Sequence, residues 1–168
     1  MSATRRWIAT AVPGAAALLL CALLFVPAAA GAPRGGVSPG SGADREEGLQ
    51  RLHAAIEEAF ERCESTPLKR AFSRRVKTLM SSRALGVRQG YYGADQVLLF
   101  LQRAFEGRAT LRFKLVTPDD APPGNARRAL RARWLYRDEG ASKSEARLSF
   151  ALAAEGGDWL IREIRELK

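Results

Sequence analysis

The stretch GYYGADQVLLFLQRAF, Gly90 to Phe105, changes character at its second glycine. Two adjacent tyrosines and Gly90 stand before that point. After it, Val97, Leu98, Leu99, Phe100, Leu101, Ala104 and Phe105 supply more than one apolar face of a helix. Gly93 can take the extended conformation that precedes a first turn, and Asp95 sits where the positive end of a helix favours a carboxylate. Gly107 supplies a stop. A helix this apolar has to be covered on most of its sides, so the rest of the chain must provide a covering layer.

Downstream, the apolar period falls from three-to-four to two. Leu111, Phe113 and Leu115 alternate with Arg112 and Lys114. Leu130, Ala132, Trp134 and Tyr136 alternate with Arg131, Arg133 and Arg137, and Ala146, Leu148, Phe150 and Leu152 with Arg147 and Ser149. Such alternation marks antiparallel strands with one wet face. The connections TPDDAPPGN and DEGASK are rich in turn formers. Gly156-Gly157 is a hairpin signal ahead of a last strand from Trp159 to Leu167. In that strand Trp159 and Ile161 lie on one face and Leu160 and Ile164 on the other, which predicts cover on both.

Upstream, Leu49, Leu52, Ile56, Ala59, Phe60 and Cys63 recur at helical spacing and predict an amphipathic helix over 46–63. Pro67 fits the first turn of a shorter helix through Leu68, Ala71 and Phe72, with Ser65 or Thr66 as its cap. Residues 75–80 alternate as a short strand. Helices followed by long antiparallel strands form an α+β plan, with the helices packed in the concave side of a strongly curved antiparallel sheet.

The amino terminus has a different character. Arg5-Arg6 precede an uncharged run from Ala15 to Val26, short of the roughly 20 residues that span a bilayer. Pro27 and Ala28-Ala29-Ala30 then suit cleavage after Ala30. Residues 1–30 read as a signal peptide, and the protein as exported, periplasmic or extracellular; an uncleaved membrane anchor is the alternative. Cys21 lies mid-run behind Leu18-Leu19-Leu20, which does not suit a lipid-bearing cysteine, and Trp7-Ile8-Ala9 do not complete a twin-arginine pattern. Residues 31–45, rich in Gly, Pro and Ser, form a flexible linker, and 46–168 a single domain. Past residue 30 Cys63 is the sole cysteine, so no internal disulfide can form; on an apolar helix face it reads as a small buried hydrophobe.

The chain carries 27 basic and 18 acidic side chains, and two of the arginines lie in the signal segment, which leaves a net charge of +7 on the rest. A positive surface favours lipid headgroups, acidic glycans or nucleic acid, and export argues against nucleic acid.

The order of elements, with the GYYGADQVLLFLQRAF helix entry and the terminal GGDWLIREIREL, resembles the cone-shaped fold of nuclear transport factor 2-like proteins, akin to the cystatin fold. More narrowly it resembles a family of small secreted domains of unknown function in that superfamily. The matching positions are Gly90, Tyr91 or Tyr92, Gln96, Leu101, Phe105, Gly156, Gly157, Trp159, Ile161 and Arg165. The resemblance runs from Glu46 to the end; the long VTPDDAPPGNARR connection and the arginine-heavy strands depart from it. It implies the cone and, as is common in the superfamily, a homodimer through the sheet. It carries over no catalytic residue.

His53 is the only histidine, which removes most zinc sites and acid–base triads. It reads as a boundary residue with a local hydrogen bond. Asp119-Asp120 sit in a Pro-rich turn and read as solvated, so neither a metal nor a cofactor is predicted. Some superfamily enzymes use a carboxylate base and a tyrosine or carboxylic acid donor inside the cone. The counterparts here are Asp95, Tyr136 and Glu163, each with a plainer account: a first-turn carboxylate, a core tyrosine, and a partner for a cross-strand arginine. A shared fold does not bring chemistry with it.

Two binding sites are candidates. Tyr91, Tyr92, Trp134, Tyr136, Phe150 and Trp159 can line a ligand pocket in the cone, or simply fill the core. Arg112, Lys114, Arg131, Arg133 and Arg147 would point the same way from neighbouring strands and bind an anionic surface, or form a solvated face with acidic neighbours. That face lacks the interleaved aromatics of an RNA-reading sheet. The sequence thus reads as an exported, non-catalytic domain that binds a small ligand or a partner protein. The alternatives are an isomerase- or dehydratase-type enzyme and a binder of anionic surfaces.

Overall fold

The computed structural model describes residues 42–116, 126–140 and 142–168. Residues 1–30, read as a signal peptide, residues 31–41 of the expected linker and Asp119-Asp120 lie outside the described residues.

The first helix, α1, spans Gly42–Arg62 and buries the stripe Leu49, Leu52, Ile56, Ala59 and Phe60. It starts four residues before the expected boundary, so residues 42–45, read as linker, form its first turn. The Trp159 indole donates a hydrogen bond to the Arg45 carbonyl at 2.7 Å, which ties this turn to the last strand and satisfies a buried indole N–H. At the other end Cys63 adopts φ +54°, and the Glu64 amide closes back on the Ala59 carbonyl at 2.9 Å. No glycine announces this left-handed cap. The expected second helix is a single 3-10 turn, Thr66–Arg70, with Pro67 at its start; Ser65 occupies the cap position without a side-chain capping bond.

Strand β1 covers Thr78–Ser82, three residues later than the alternation at 75–80 predicts. The Ser73 hydroxyl accepts hydrogen bonds from the amides of Arg75 and Val76, both at 3.2 Å, and this local turn diverts the backbone from the ladder. Strand β2, Val87–Tyr92, was not anticipated. It is an edge strand in which only Val87 is buried, so burial imposes no alternation on it. Within it an added Cβ at Gly90 would stand 2.8 Å from the Tyr92 hydroxyl oxygen: the tyrosine ring lies across the glycine. Gly90 and Gly93 thereby have separate tasks, the first making room for a ring and the second opening the helix.

Helix α2 spans Ala94–Phe105. Gly93 is its extended cap, and its amide donates to the Gln96 side-chain oxygen at 3.0 Å. Val97, Leu101, Ala104 and Phe105 are buried, but Leu99 is 44% exposed. The expectation that most sides are covered holds for one face and its flanks only.

Four long strands follow: β3 Arg108–Val116, β4 Arg127–Asp138, β5 Lys143–Glu155 and β6 Asp158–Leu167. The sheet order is β2-β1-β6-β5-β4-β3, antiparallel except where β1 runs parallel to β6. The helices lie on one side of this curled sheet. Phe60 sits at the centre of the core, stacked on Phe113 at 4.6 Å and edge-on to Phe105, Trp134 and Phe150 at 5.2, 5.2 and 5.9 Å.

Two bulges correct the strand phases. Thr110 pairs with Tyr136 and Arg112 with Leu135, so Leu111 is an extra residue and turns outward, against the expected core position. In β6, Ile161 pairs with Leu152 and Glu163 with Ala151, leaving Arg162 as the extra residue. The phase slips by one there, and Trp159, Ile161 and Ile164 all reach the core. The two-sided cover expected for this strand reduces to one core face, with Leu160 half-buried behind it.

Candidate functional site

Of the six aromatics considered for a pocket, Trp134, Tyr136 and Phe150 come together around Phe60, and Tyr91, Tyr92 and Trp159 have other neighbours. Trp134 and Phe150 are completely buried against Phe60. Tyr136 stacks on Trp134 at 4.2 Å between centroids. Tyr92 packs edge-on against Phe100 at 5.0 Å and donates its hydroxyl to the Arg88 carbonyl at 2.9 Å. Trp159 is anchored on α1, and Tyr91 is 68% exposed on the edge strand. Trp134, Tyr136 and Phe150 are thus packed ring to ring on the inner face of the sheet.

Arg108, which the sequence reading passed over, closes the rim of that core. Its guanidinium lies 4.7 Å from the Tyr136 ring centroid and 5.6 Å from that of Trp134. Its Nε donates to Asp138 Oδ1 at 2.6 Å, and Nη1 to the Ala84 carbonyl. Thr110 stands just inside: its Oγ1 donates to the Phe60 carbonyl at 2.5 Å and accepts from Trp134 Nε1 at 2.8 Å. Cys63 Sγ is 3.3 Å from the same oxygen.

The three candidates for acid–base chemistry have different surroundings. Asp95 is exposed in the first turn of α2, and Tyr136 is buried under Arg108. Glu163 pairs with Arg165 two residues along its own strand, rather than with a cross-strand arginine. His53 Nδ1 is 3.6 Å from Glu57 Oε2, one helical turn away. Among the described residues no group of three or more His, Cys, Asp or Glu side chains could hold a metal ion.

The five cationic candidates do converge. On the outer sheet face Lys114 pairs with Arg133, Arg133 with Arg147, and Arg147 with Leu167, giving one cross-strand row. The neighbouring row is Val116, Arg131, Ser149 and Arg165, and the next is Arg112, Leu135 and Glu145. Lys114, Val116, Arg131, Arg133, Arg147 and Leu167 line an open depression of about 570 Å³. Side chains directly opposite on neighbouring strands have Cβ atoms about 4.5–5.5 Å apart, and like charges there are destabilising. Ordinary packing gives no reason for three cations in such a row.

One carboxylate serves this cluster. Glu145 takes a bidentate contact from Arg133, Nε to Oε1 at 2.8 Å and Nη2 to Oε2 at 2.7 Å, with Arg147 Nε 3.9 Å from Oε1. The hydrogen bond from Arg133 holds the Glu145 carboxyl below its ordinary range, and the charges of Arg133 and Arg147 act the same way. The same contact raises the Arg133 guanidinium. Among the described residues Arg112, Lys114 and Arg131 have no carboxylate partner. Glu145 was not singled out from sequence, because its neighbour across the sheet is identified only by register.

The chain matches no family model and no curated protein. Solved structures match it in shape. A domain of unknown function with a cystatin-like fold from Nostoc punctiforme superposes with a TM-score of 0.52 at 14% identity, over 76% of this chain and 78% of that one. An NTF-2 like protein of unknown function from Shewanella oneidensis gives 0.50 at 12%, over 72% and 97%. The BvnE pinacolase of Penicillium brevicompactum gives 0.50 at 12%, over 74% and 84%. At these identities the likeness concerns the fold. The chain has the nuclear transport factor 2-like α+β cone fold, which hosts enzymes and domains of unknown function alike.

Proposed function

We propose that this protein is an exported, non-catalytic binding domain that holds an anionic partner on the outer face of its sheet. The observation that carries the reading is the Lys114–Arg133–Arg147 row with Arg131 and Arg112 beside it and one carboxylate among them. Such an array is a standing electrostatic cost that an anionic partner removes. The export step rests on the signal segment in the sequence. The small-ligand reading has less support, because the inner aromatics are packed on one another and on Phe60. The enzyme reading has less still, since Asp95 is exposed on α2, Tyr136 is buried under Arg108 and Glu163 is paired with Arg165.

The test is titration of the chain from Gly31 onward with fluorescent dextran sulfate, wild type against Arg131→Glu/Arg133→Glu. The reading expects salt-sensitive binding that the double reversal weakens at least tenfold, by analogy with the steep salt dependence of other polyanion contacts. Equal binding by both proteins removes the outer face as the site.

A further inference from the structure

Resting on the anionic-partner reading, we infer that the partner is an anionic phospholipid surface. Aliphatic side chains stand among the cations. Val116 ends the row that contains Arg131, and Leu167 ends the row that contains Lys114, Arg133 and Arg147. Both aliphatic side chains are on the solvent face, 48% and 39% exposed, inside the same open depression. A soluble polyanion engages the guanidinium and ammonium groups and gains nothing from a valine and a leucine. A bilayer offers both partners at one depth: phosphate oxygens for the cations, and the acyl boundary for the aliphatic carbons.

The alternatives lack a matching feature. Neither depression on this face, the one above or its neighbour lined by Arg112, Lys114, Arg133, Leu135 and Glu145, includes an aromatic ring on which a sugar or a base could stack. The surface is also an open one built on the sheet, with three strands presenting cations side by side. This geometry suits a plane of headgroups better than a single small anion, which needs convergent donors in an enclosed site.

Two variants and two probes test this. The chain from Gly31 retains the whole buried core, which runs from Leu49 to Ile164, so it is the form to use. Co-sedimentation with phosphatidylcholine vesicles, with and without phosphatidylglycerol, is run beside dextran sulfate titration. The inference expects binding only to vesicles that contain phosphatidylglycerol, weakened about fivefold for each neutralised cation of the row, as in Lys114→Gln. It further expects Val116→Ser/Leu167→Ser to weaken vesicle binding about tenfold and to leave dextran sulfate binding unchanged. Since both residues are surface-exposed, an unaltered melting curve certifies the fold of the double variant.

Binding to dextran sulfate without any gain from phosphatidylglycerol overturns the lipid assignment and leaves the anionic-partner reading standing, with a soluble polymer or an acidic protein as the partner. Vesicle binding that Val116→Ser/Leu167→Ser does not weaken overturns it as well. Binding to neither probe sinks both readings.

Discussion

Along β4, Leu130, Ala132, Trp134 and Tyr136 face the helices and are buried, while Arg131, Arg133 and Arg137, one residue out of phase with them, face water. The two faces share a backbone and almost nothing else. Each inner side chain has neighbours that constrain its volume and rotamer, so its identity is explained by packing. The outer arginines have no packing neighbours of that kind, and Arg133 meets like charge on either side, in Lys114 and Arg147, with Glu145 as the carboxylate that offsets it, so the row opposes folding. An arrangement that packing explains needs no ligand; one that stability disfavours points to a use. The basic exterior therefore has the stronger claim to a binding role than the aromatic interior.

The sharpest way to break the comparison is to remove Phe60, the ring on which Phe113, Phe105, Trp134 and Phe150 converge. Phe60→Ala is expected to cost about 3–5 kcal/mol in urea unfolding. A loss under about 1 kcal/mol would mean that the core tolerates a void of that size, and the ligand-pocket reading would return. Next in size is Thr110→Val, which keeps the volume but leaves Trp134 Nε1 without its acceptor and the Phe60 carbonyl with only the weak Cys63 thiol donor. An unsatisfied buried group costs about 1–3 kcal/mol, with a shift in tryptophan emission as the indole environment changes. If stability and emission both stay at wild type, the Thr110 contacts are incidental to the core.

The contrast between the faces also explains what could be read in advance. The α2 helix, its Gly93 cap, the Gly156-Gly157 turn and the alternation of β4 and β5 were legible, since each follows from a local preference or an unbroken period. Strand β2 was not, because an edge strand carrying Arg88, Gln89 and Gly90 has no apolar face to display. The bulges at Leu111 and Arg162 were hidden for another reason: a one-residue slip is set by the partner strand, and an alternating pattern has no means of recording it. At the candidate site the cations were legible and their arrangement was not. That Lys114, Arg133 and Arg147 form one row, and that Glu145 reaches Arg133, depends on register. The environment of the six aromatics was hidden for the complementary reason, since residue type alone does not separate a pocket lining from a core side chain.

The smallest expected effect concerns Glu145, the one acidic side chain that competes with a bound anion for Arg133. Its carboxyl titrates below the ordinary value of about 4.3 because Arg133 donates to it. The ion pair's support for folding is therefore fully present above that ordinary value and is lost as pH falls through the lowered one. Anion binding moves the other way. Protonation of Glu145 frees Arg133 and removes the negative charge beside Arg147, so affinity for a strong-acid probe such as dextran sulfate should rise severalfold as pH drops through this titration. Glu145→Gln should bring that gain to neutral pH and flatten the acid-side rise, with a melting temperature close to wild type because the pair is exposed to solvent. If the glutamine variant binds no more tightly than wild type at neutral pH, Arg133 does not take part in anion binding. The proposed site would then contract to Lys114, Arg131 and Arg147, since Glu145 would have been holding Arg133 as an ordinary surface pair.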